Sequence, residues 1–352
     1  MIDVKEIAKC YGENDFAVIK EIDSSRGDED KRYTYLIKFD DGLELAVKVC
    51  QNDFTTPERI LGWQKTCKNY LDLGIYCPQI VKNRNGNYSQ NIIFGDENFI
   101  VYAEEIKKYK TQEEFEGDVA PDIRDSVRES VGLVASLGQE LVPWYSAYCV
   151  FVKFSEYELT DENYETAEIF CNTVRENYPQ YNEYVDRIWD MYIAKRTQFE
   201  PVYHKLPKAV FQGDLNSTNV LVDDDGNFAG LIDFNLSGTE IVLCYILLPE
   251  VCLYNLQCED LEYLTDKDFL KKCDDFLYDN LRKINKYYKF SDYEIENFNL
   301  CYNAIVPFCF HMIEGILKWA MREKKDEAEQ LGKILDWVYY QLSRDDMRLE
   351  NK

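Results

Sequence analysis

Residues 208–238, KAVFQGDLNSTNVLVDDDGNFAGLIDFNLSG, constrain this chain more than any other stretch. Two short apolar runs, Val220-Leu221-Val222 and Leu231-Ile232, flank the turn Asp223-Asp224-Asp225-Gly226-Asn227. Asp-Gly between apolar β-branched runs is a strong hairpin signal. Pairing the two runs brings Asn219 and Asp233 side by side, with Asp214 one loop away. Oxygen-bearing side chains around a tight hairpin suit a hard cation that carries phosphates. Mg²⁺ prefers oxygen ligands and keeps several waters, so one or two protein ligands suffice.

The separation Asp214-x-x-x-x-Asn219, followed by Asp233-Phe234, matches the catalytic loop and metal-binding segment of kinases. A lone Asp-Phe pair would carry little information. All three polar positions at these separations, with strands between them, carry much more. Gly213-Asp214-Leu215, Asn219-Val220-Leu221-Val222-Asp223, Gly226 and Gly230-Leu231-Ile232-Asp233-Phe234 make the segment resemble the aminoglycoside phosphotransferase and choline kinase-like family. These are small-molecule kinases with the protein-kinase fold.

The resemblance implies an α+β, protein-kinase-like bilobal fold. Residues 1–104 would form a nucleotide-binding lobe around a small antiparallel sheet, and residues 105–352 a mostly helical lobe. It also implies phosphoryl transfer from ATP or GTP to a hydroxyl of a small molecule. Asp214 would take the hydroxyl proton, and Asn219 and Asp233 would hold Mg²⁺. Two positions depart from the kinase pattern. Gln212 stands where H-x-D has His, and Asn235 follows Asp233-Phe234 where protein kinases place Gly. Gln supplies hydrogen bonds for the loop as His does.

The bulk composition narrows the partners. With 352 residues and 46% apolar content there is material for two packed cores. The net charge of −25 excludes the basic footprint that nucleic acid requires and disfavours an anionic membrane. It suits a cationic acceptor, though acidity also serves solubility. The 12 Cys include no C-x-x-C, so neither a zinc site nor a disulfide framework is indicated and a reducing cytoplasm is expected. Two His, His204 and His311, leave little room for His-based catalysis. The start, MIDVKEIAKC, lacks the apolar core of a signal peptide, and the apolar run Ile241 to Leu248 is too short to span a bilayer.

Residues 17–22, 33–39 and 43–49 read as strands, the last two joined at Asp40-Asp41-Gly42. The loop from Asp23 to Arg32 lies where a kinase covers the phosphates, and Ser24, Ser25 and Gly27 are its candidate backbone N–H donors. Lys48, inside Ala46-Val47-Lys48-Val49, needs a reason to sit in an apolar strand. By its match to V-A-I-K it would reach the α- and β-phosphates. Thr56-Pro57-Glu58 opens a helix with the stripe Ile60, Leu61, Gln64, Cys67, Tyr70 and Leu71. Glu58 is its only carboxylate before Asp72 and so the candidate partner of Lys48, although a first-turn Glu also serves the helix dipole. Residues 92–94 and 99–102 read as further strands around a turn at Gly95 to Asn98. The resemblance implies that backbone at Ala103, Glu104 and Glu105 binds the purine.

From Pro121 the chain reads as helical over 121–142, 161–177, 181–198, 266–288, 291–303 and 304–342. Val127, Val131, Val134, Leu137 and Leu141 form a core stripe, and Phe308, Ile313, Ile316, Leu317, Trp319 and Ala320 another. Glu156, Glu158 and Glu240 with Trp144, Tyr145 and Tyr245 are candidates for a cation-accepting pocket. Aminoglycoside, choline-like amine, sugar and amino-alcohol acceptors all stay open. A nucleotide-binding scaffold without catalysis is one alternative. A protein kinase is another, but only 14 residues separate Phe234 from Pro249 of Leu248-Pro249-Glu250, too few for an activation loop.

Overall fold

The computed structural model describes residues 2–309 and 327–351. The chain forms two compact units, Met1–Pro121 with Gln212–Ser237, and Asp122–Phe211 with Gly238–Lys352. The hairpin segment therefore belongs to the same unit as the N-terminal sheet.

In the first unit a short helix α1 (Val4–Ala8), capped by the Asp3 carboxylate, precedes strands β1 (Phe16–Asp23), β2 (Lys31–Phe39) and β3 (Glu44–Gln51). Helix α2 (Pro57–Asp72) follows, then β4 (Ile80–Val81), β5 (Ser89–Phe94) and β6 (Glu97–Glu105). These strands make one antiparallel sheet in the order β1-β2-β3-β6-β4, with β5 also on β6. The turn between β5 and β6 is tighter than expected, because Phe94 pairs with Glu97 and only Gly95 and Asp96 lie between.

Alternation sorts the side chains of this sheet. One face buries Tyr35, Ile37, Val47, Val49, Phe99 and Val101 with Ile7 of α1. Each such apolar side chain contributes about 1.5–3 kcal/mol on burial. The register pairs Thr34 with Lys48 and Lys48 with Tyr102, so these three share the opposite face. Glu104, two residues beyond Tyr102, lies on that face as well.

Thr56 caps α2 as expected, its hydroxyl accepting the Arg59 N–H at 3.2 Å, with Pro57 in the first turn. The buried stripe is Ile60, Trp63, Cys67 and Tyr70. Leu61 and Leu71, expected in it, are exposed because they fall about a hundred degrees off that line. A second sheet joins β7 (Lys110–Thr111) to the hairpin, here β9 (Val220–Val222) and β10 (Phe228–Leu231). Its turn closes with Asp223 N–H donating to Asn227 O at 2.9 Å.

The second unit holds β8 (Lys208–Phe211) antiparallel to β11 (Gly238–Ile241). Around this pair lie α3 (Ile123–Ser136), α4 (Glu162–Asn177), α5 (Asn182–Tyr203), α6 (Val242–Ile246), α7 (Lys267–Asn285), α8 (Asp292–Ile305) and α9 (Glu327–Ser343). Helix α3 ends earlier than the sequence pattern suggests, at the left-handed Gly138, and leaves Leu137 and Leu141 exposed. Tyr192 of α5 packs edge-on against Phe308 at 4.7 Å, and Phe170 of α4 meets the same ring. Phe308 is thus core, whereas Ile313, Ile316, Leu317, Trp319, Ala320 and His311 lie outside the described residues. Among the described residues no helix is long and apolar enough to cross a membrane.

Candidate active site

The hairpin register fixes the relation of two key residues. Leu231 pairs with Val220, and Ile232 N–H donates to Asn219 O at 3.0 Å, so Asn219 and Asp233 emerge side by side. Backbone hydrogen bonds to Tyr76 help seat the hairpin. Tyr76 N–H donates to Ala229 O, and Leu231 N–H donates to Tyr76 O. A Cβ on Gly230 would lie 1.9 Å from that Tyr76 oxygen, so only glycine permits the approach.

Gln212 organises the loop. Its side-chain Nε2 donates to Ile232 O and Asp233 O, both at 2.8 Å, and its Oε1 accepts the Asp214 N–H at 2.6 Å. Its own N–H donates to the buried Tyr70 hydroxyl at 3.0 Å, and the Tyr70 ring meets Phe234 edge-on at 5.3 Å. Between them Gly213 has φ +96°, and a Cβ there would sit 2.4 Å from Leu236 O. The Asp214 carboxylate accepts Asn216 Nδ2 at 2.8 Å and Asn219 Nδ2 at 3.0 Å. Asp233 itself has φ 59° and ψ 74°, a left-handed backbone that costs a non-glycine residue about 1–2 kcal/mol. Such strain concentrates at functional sites.

Lys48 completes the group. Its Nζ lies 3.1 Å from Asp233 Oδ1 and 3.2 Å from Glu104 Oε1, and 5.7 Å from the centre of the Tyr102 ring. Burial disfavours the Lys48 ammonium, but the Asp233 and Glu104 carboxylates outweigh it and hold its pKa well above the usual lysine range. Burial also pushes the Glu104 carboxyl upward, against the pull of Lys48.

Several expectations need correction. The carboxylate partner of Lys48 is Glu104, not Glu58. Glu58 is exposed in the first turn of α2, where it complements the helix dipole. The backbone of Ala103 and Glu104 lies within the sheet. Ala103 and Glu104 pair with β3 on one side and β4 on the other, and Glu105 N–H donates to Gln79 O at 3.0 Å. The first backbone groups beyond the sheet are those of Ile106 and Lys107. In the loop after β1, Ser24 N–H donates to Arg32 O and Ser25 N–H to Asp23 Oδ1, so two of the three expected phosphate donors are already engaged. Gly27 has φ +114° at the loop tip.

The acceptor candidates of the second unit also divide. Glu240 and Tyr245 are core residues: Tyr245 stacks on Phe211 at 4.0 Å, and Glu240 is 1% exposed. Glu158 accepts the Phe154 N–H at 2.7 Å, Glu156 is exposed, and Tyr145 lies beneath the Lys208 ammonium at 5.7 Å. Glu104 is the side chain beside Lys48 that sequence reading missed. The signal was strand alternation, which puts it on the face of Tyr102 and, through the register, of Lys48.

The donor set fits one hard divalent cation. Asn219 donates through Nδ2 and so turns its carbonyl oxygen away from Asp214, while Asp233 offers a carboxylate that is 40% exposed. The oxygen donors of Asn219 and Asp233 suit Mg²⁺, which takes one or two protein ligands and keeps several waters. The 11 cysteines whose side chains are described are free thiols.

Residues 26–244, more than half of the chain, match the model of the phosphotransferase enzyme family. No curated protein matches. Among solved structures, an amicoumacin kinase in complex with AMP-PNP and Ca²⁺ aligns at TM-score 0.52 with 14% identity, covering 96% of this chain and 92% of that one. A microcompartment-associated aminopropanol kinase aligns at TM-score 0.49 with 10% identity, covering 96% and 94%. An aminoglycoside phosphotransferase from Alicyclobacillus acidocaldarius aligns at 0.41 with 11% identity, covering 97% and 96%. The first of these likenesses carries the fold, which is the kinase-like one expected.

Proposed function

The chain belongs to the phosphotransferase enzyme family, and from that premise we propose that it is a small-molecule kinase that transfers the γ-phosphoryl group of ATP or GTP to a hydroxyl. The observation that carries the reading is the pairing of two sets of side chains in one compact unit. Asp214 is held by Asn219 at 3.0 Å, and Asp233 by Lys48 at 3.1 Å.

In this reading Asp214 accepts the acceptor's hydroxyl proton. The freed oxygen forms a bond to the γ-phosphorus, the bond from that phosphorus to the bridging oxygen breaks, and the nucleoside diphosphate leaves with the electron pair. Lys48 orients the triphosphate, and Glu104 holds Lys48 extended toward it. Asn219 and Asp233 would hold Mg²⁺, which would supply neutralisation of phosphate charge. Catalysis of this kind is chiefly positioning and charge neutralisation. The acceptor is a small hydroxyl compound, and the net charge of −25 favours a cationic one.

The test is turnover of a panel of hydroxyl-bearing amines and sugars with Mg²⁺ and either nucleotide, for the wild type and Asp214→Asn. Loss of the base should lower kcat by at least about 100-fold and leave nucleotide affinity in place. An Asp214→Asn enzyme with undiminished turnover would remove Asp214 from its role.

A further inference from the structure

The sheet face that carries Lys48 carries a second cation, Arg32. The register pairs Arg32 with Cys50 and Thr34 with Lys48, so Arg32 sits diagonally across from Lys48 on the same face. Diagonal neighbours of this kind lie about 7–8 Å apart, within reach of long side chains. Arg32 is also the base of the loop that follows β1. Its C=O accepts the Ser24 N–H at 2.9 Å, and its N–H donates to the Ser25 hydroxyl at 3.0 Å. The guanidinium lies 4.9 Å from the centre of the Phe54 ring. Its Nε donates to Asp30 Oδ1 at 2.6 Å and its Nη2 to the other oxygen, while Asn52 Nδ2 donates to the same Asp30 at 3.0 Å.

Two further effects place Arg32 in the field of the candidate site. Burial disfavours its charge, but Asp30 and then Asp233 more than compensate. Burial pushes the neighbouring Cys50 thiol up to about 11, against the pull of both Lys48 and Arg32. Charge balance then poses a question. Lys48 and Arg32 face Glu104, Asp233 and Asp30, so the group is one negative charge in excess before any nucleotide arrives. Lys48 is already divided between two carboxylates. A triphosphate adds several more negative charges, and an Arg fork has five donors, of which Asp30 takes one edge.

We propose that Arg32 contacts the terminal phosphates of the nucleotide as a second cation beside Lys48, with Asp30 holding its fork in position. The proposal rests on the reading of this site as a nucleotide site. It makes the loop after β1 cationic at its base, where the sequence offered only backbone N–H groups.

Affinity measured by calorimetry for Mg·ATP and for adenosine, on the wild type, Arg32→Met, Arg32→Lys and Asp30→Asn, tests it. Met keeps an unbranched apolar side chain of similar length without the guanidinium. Arg32→Met should weaken ATP about 10–100-fold and leave adenosine unchanged, Arg32→Lys should recover part of the loss, and Asp30→Asn should keep ATP within about threefold. Equal losses of ATP and adenosine, or equal losses in Arg32→Met and Asp30→Asn, would reduce the pair to a loop staple and overturn the proposal. Unchanged ATP affinity in Arg32→Met would overturn it too. A wild type that binds neither ATP nor GTP would overturn the nucleotide-site reading, and this proposal with it.

Discussion

Two carboxylates, one in each compact unit, are held in opposite ways. Glu104 has a cation: Lys48 lies 3.2 Å away and shares its charge with Asp233. Glu240 is held by neutral donors instead. Its Oε2 accepts the Ser146 hydroxyl and the Cys149 thiol, both at 2.7 Å, and its Oε1 accepts the Ile241 N–H at 2.8 Å. Burial pushes the Glu240 carboxyl up to about 7, only partly opposed by those donors. A buried acid with a cation presents fixed charge for chemistry. A buried acid held by neutral donors, with Lys208 only a weak pull, becomes a group whose proton is set by pH. The difference follows from partners, since both side chains are on strands and both are largely removed from water.

The largest effect should come from removing the cation. Lys48→Met leaves Glu104 and Asp233 with no positive charge between them, and kcat/KM should fall at least about 100-fold. Undiminished activity would remove Lys48 from its role. The second effect is on stability. The folded pKa of Glu240 is raised from 4.5 to about 7, so its favourable contribution is full below about pH 4.5 and is lost as pH rises through about 7. At 1.36 kcal/mol per unit the span is at most about 3 kcal/mol. Thermal melts from pH 5 to 8 should show the wild type losing stability relative to Glu240→Gln. Parallel melting curves would mean that Glu240 titrates as an ordinary carboxyl. The smallest effect belongs to Glu58→Gln, which should change stability by no more than about 0.5 kcal/mol and leave ATP affinity where it was. A clear loss of affinity would reinstate Glu58 as a partner of Lys48.

The hairpin was legible because its information is local. Asp-Gly turn chemistry, two apolar runs and the register they impose determine where Asn219 and Asp233 emerge. Lys48 was legible because an ammonium in an apolar strand demands a partner. Which partner was not, because Glu104 reaches it only through the pairing of β3 with β6, which a strand pattern does not specify. Glu58 was attractive through proximity in sequence to a helix that does face the site. Its own position in the first turn points it to solvent, while Tyr70 three turns later reaches Gln212. Glu240 and Tyr245 were candidates for an acceptor pocket with a core reading for each beside it, and the sequence could not choose between the two. An acidic composition suggests that each Glu is solvated, and nothing in the local sequence reveals the hydroxyl and thiol that bury this one. The end of α3 shows the same limit, since Leu137 and Leu141 continue the apolar stripe past the point where Gly138 turns the backbone.

The Gln212 amide, which ties Asp214 to the Ile232–Asp233 backbone, has a consequence for how the site responds to acid. A histidine in its place would change its charge near neutral pH and exchange an acceptor for a donor. The carboxamide has no proton to gain or lose in that range. Its NH₂ keeps donating to both carbonyls and its oxygen keeps accepting in fixed directions, so the frame that spaces Asp214 from Asp233 is insulated from pH.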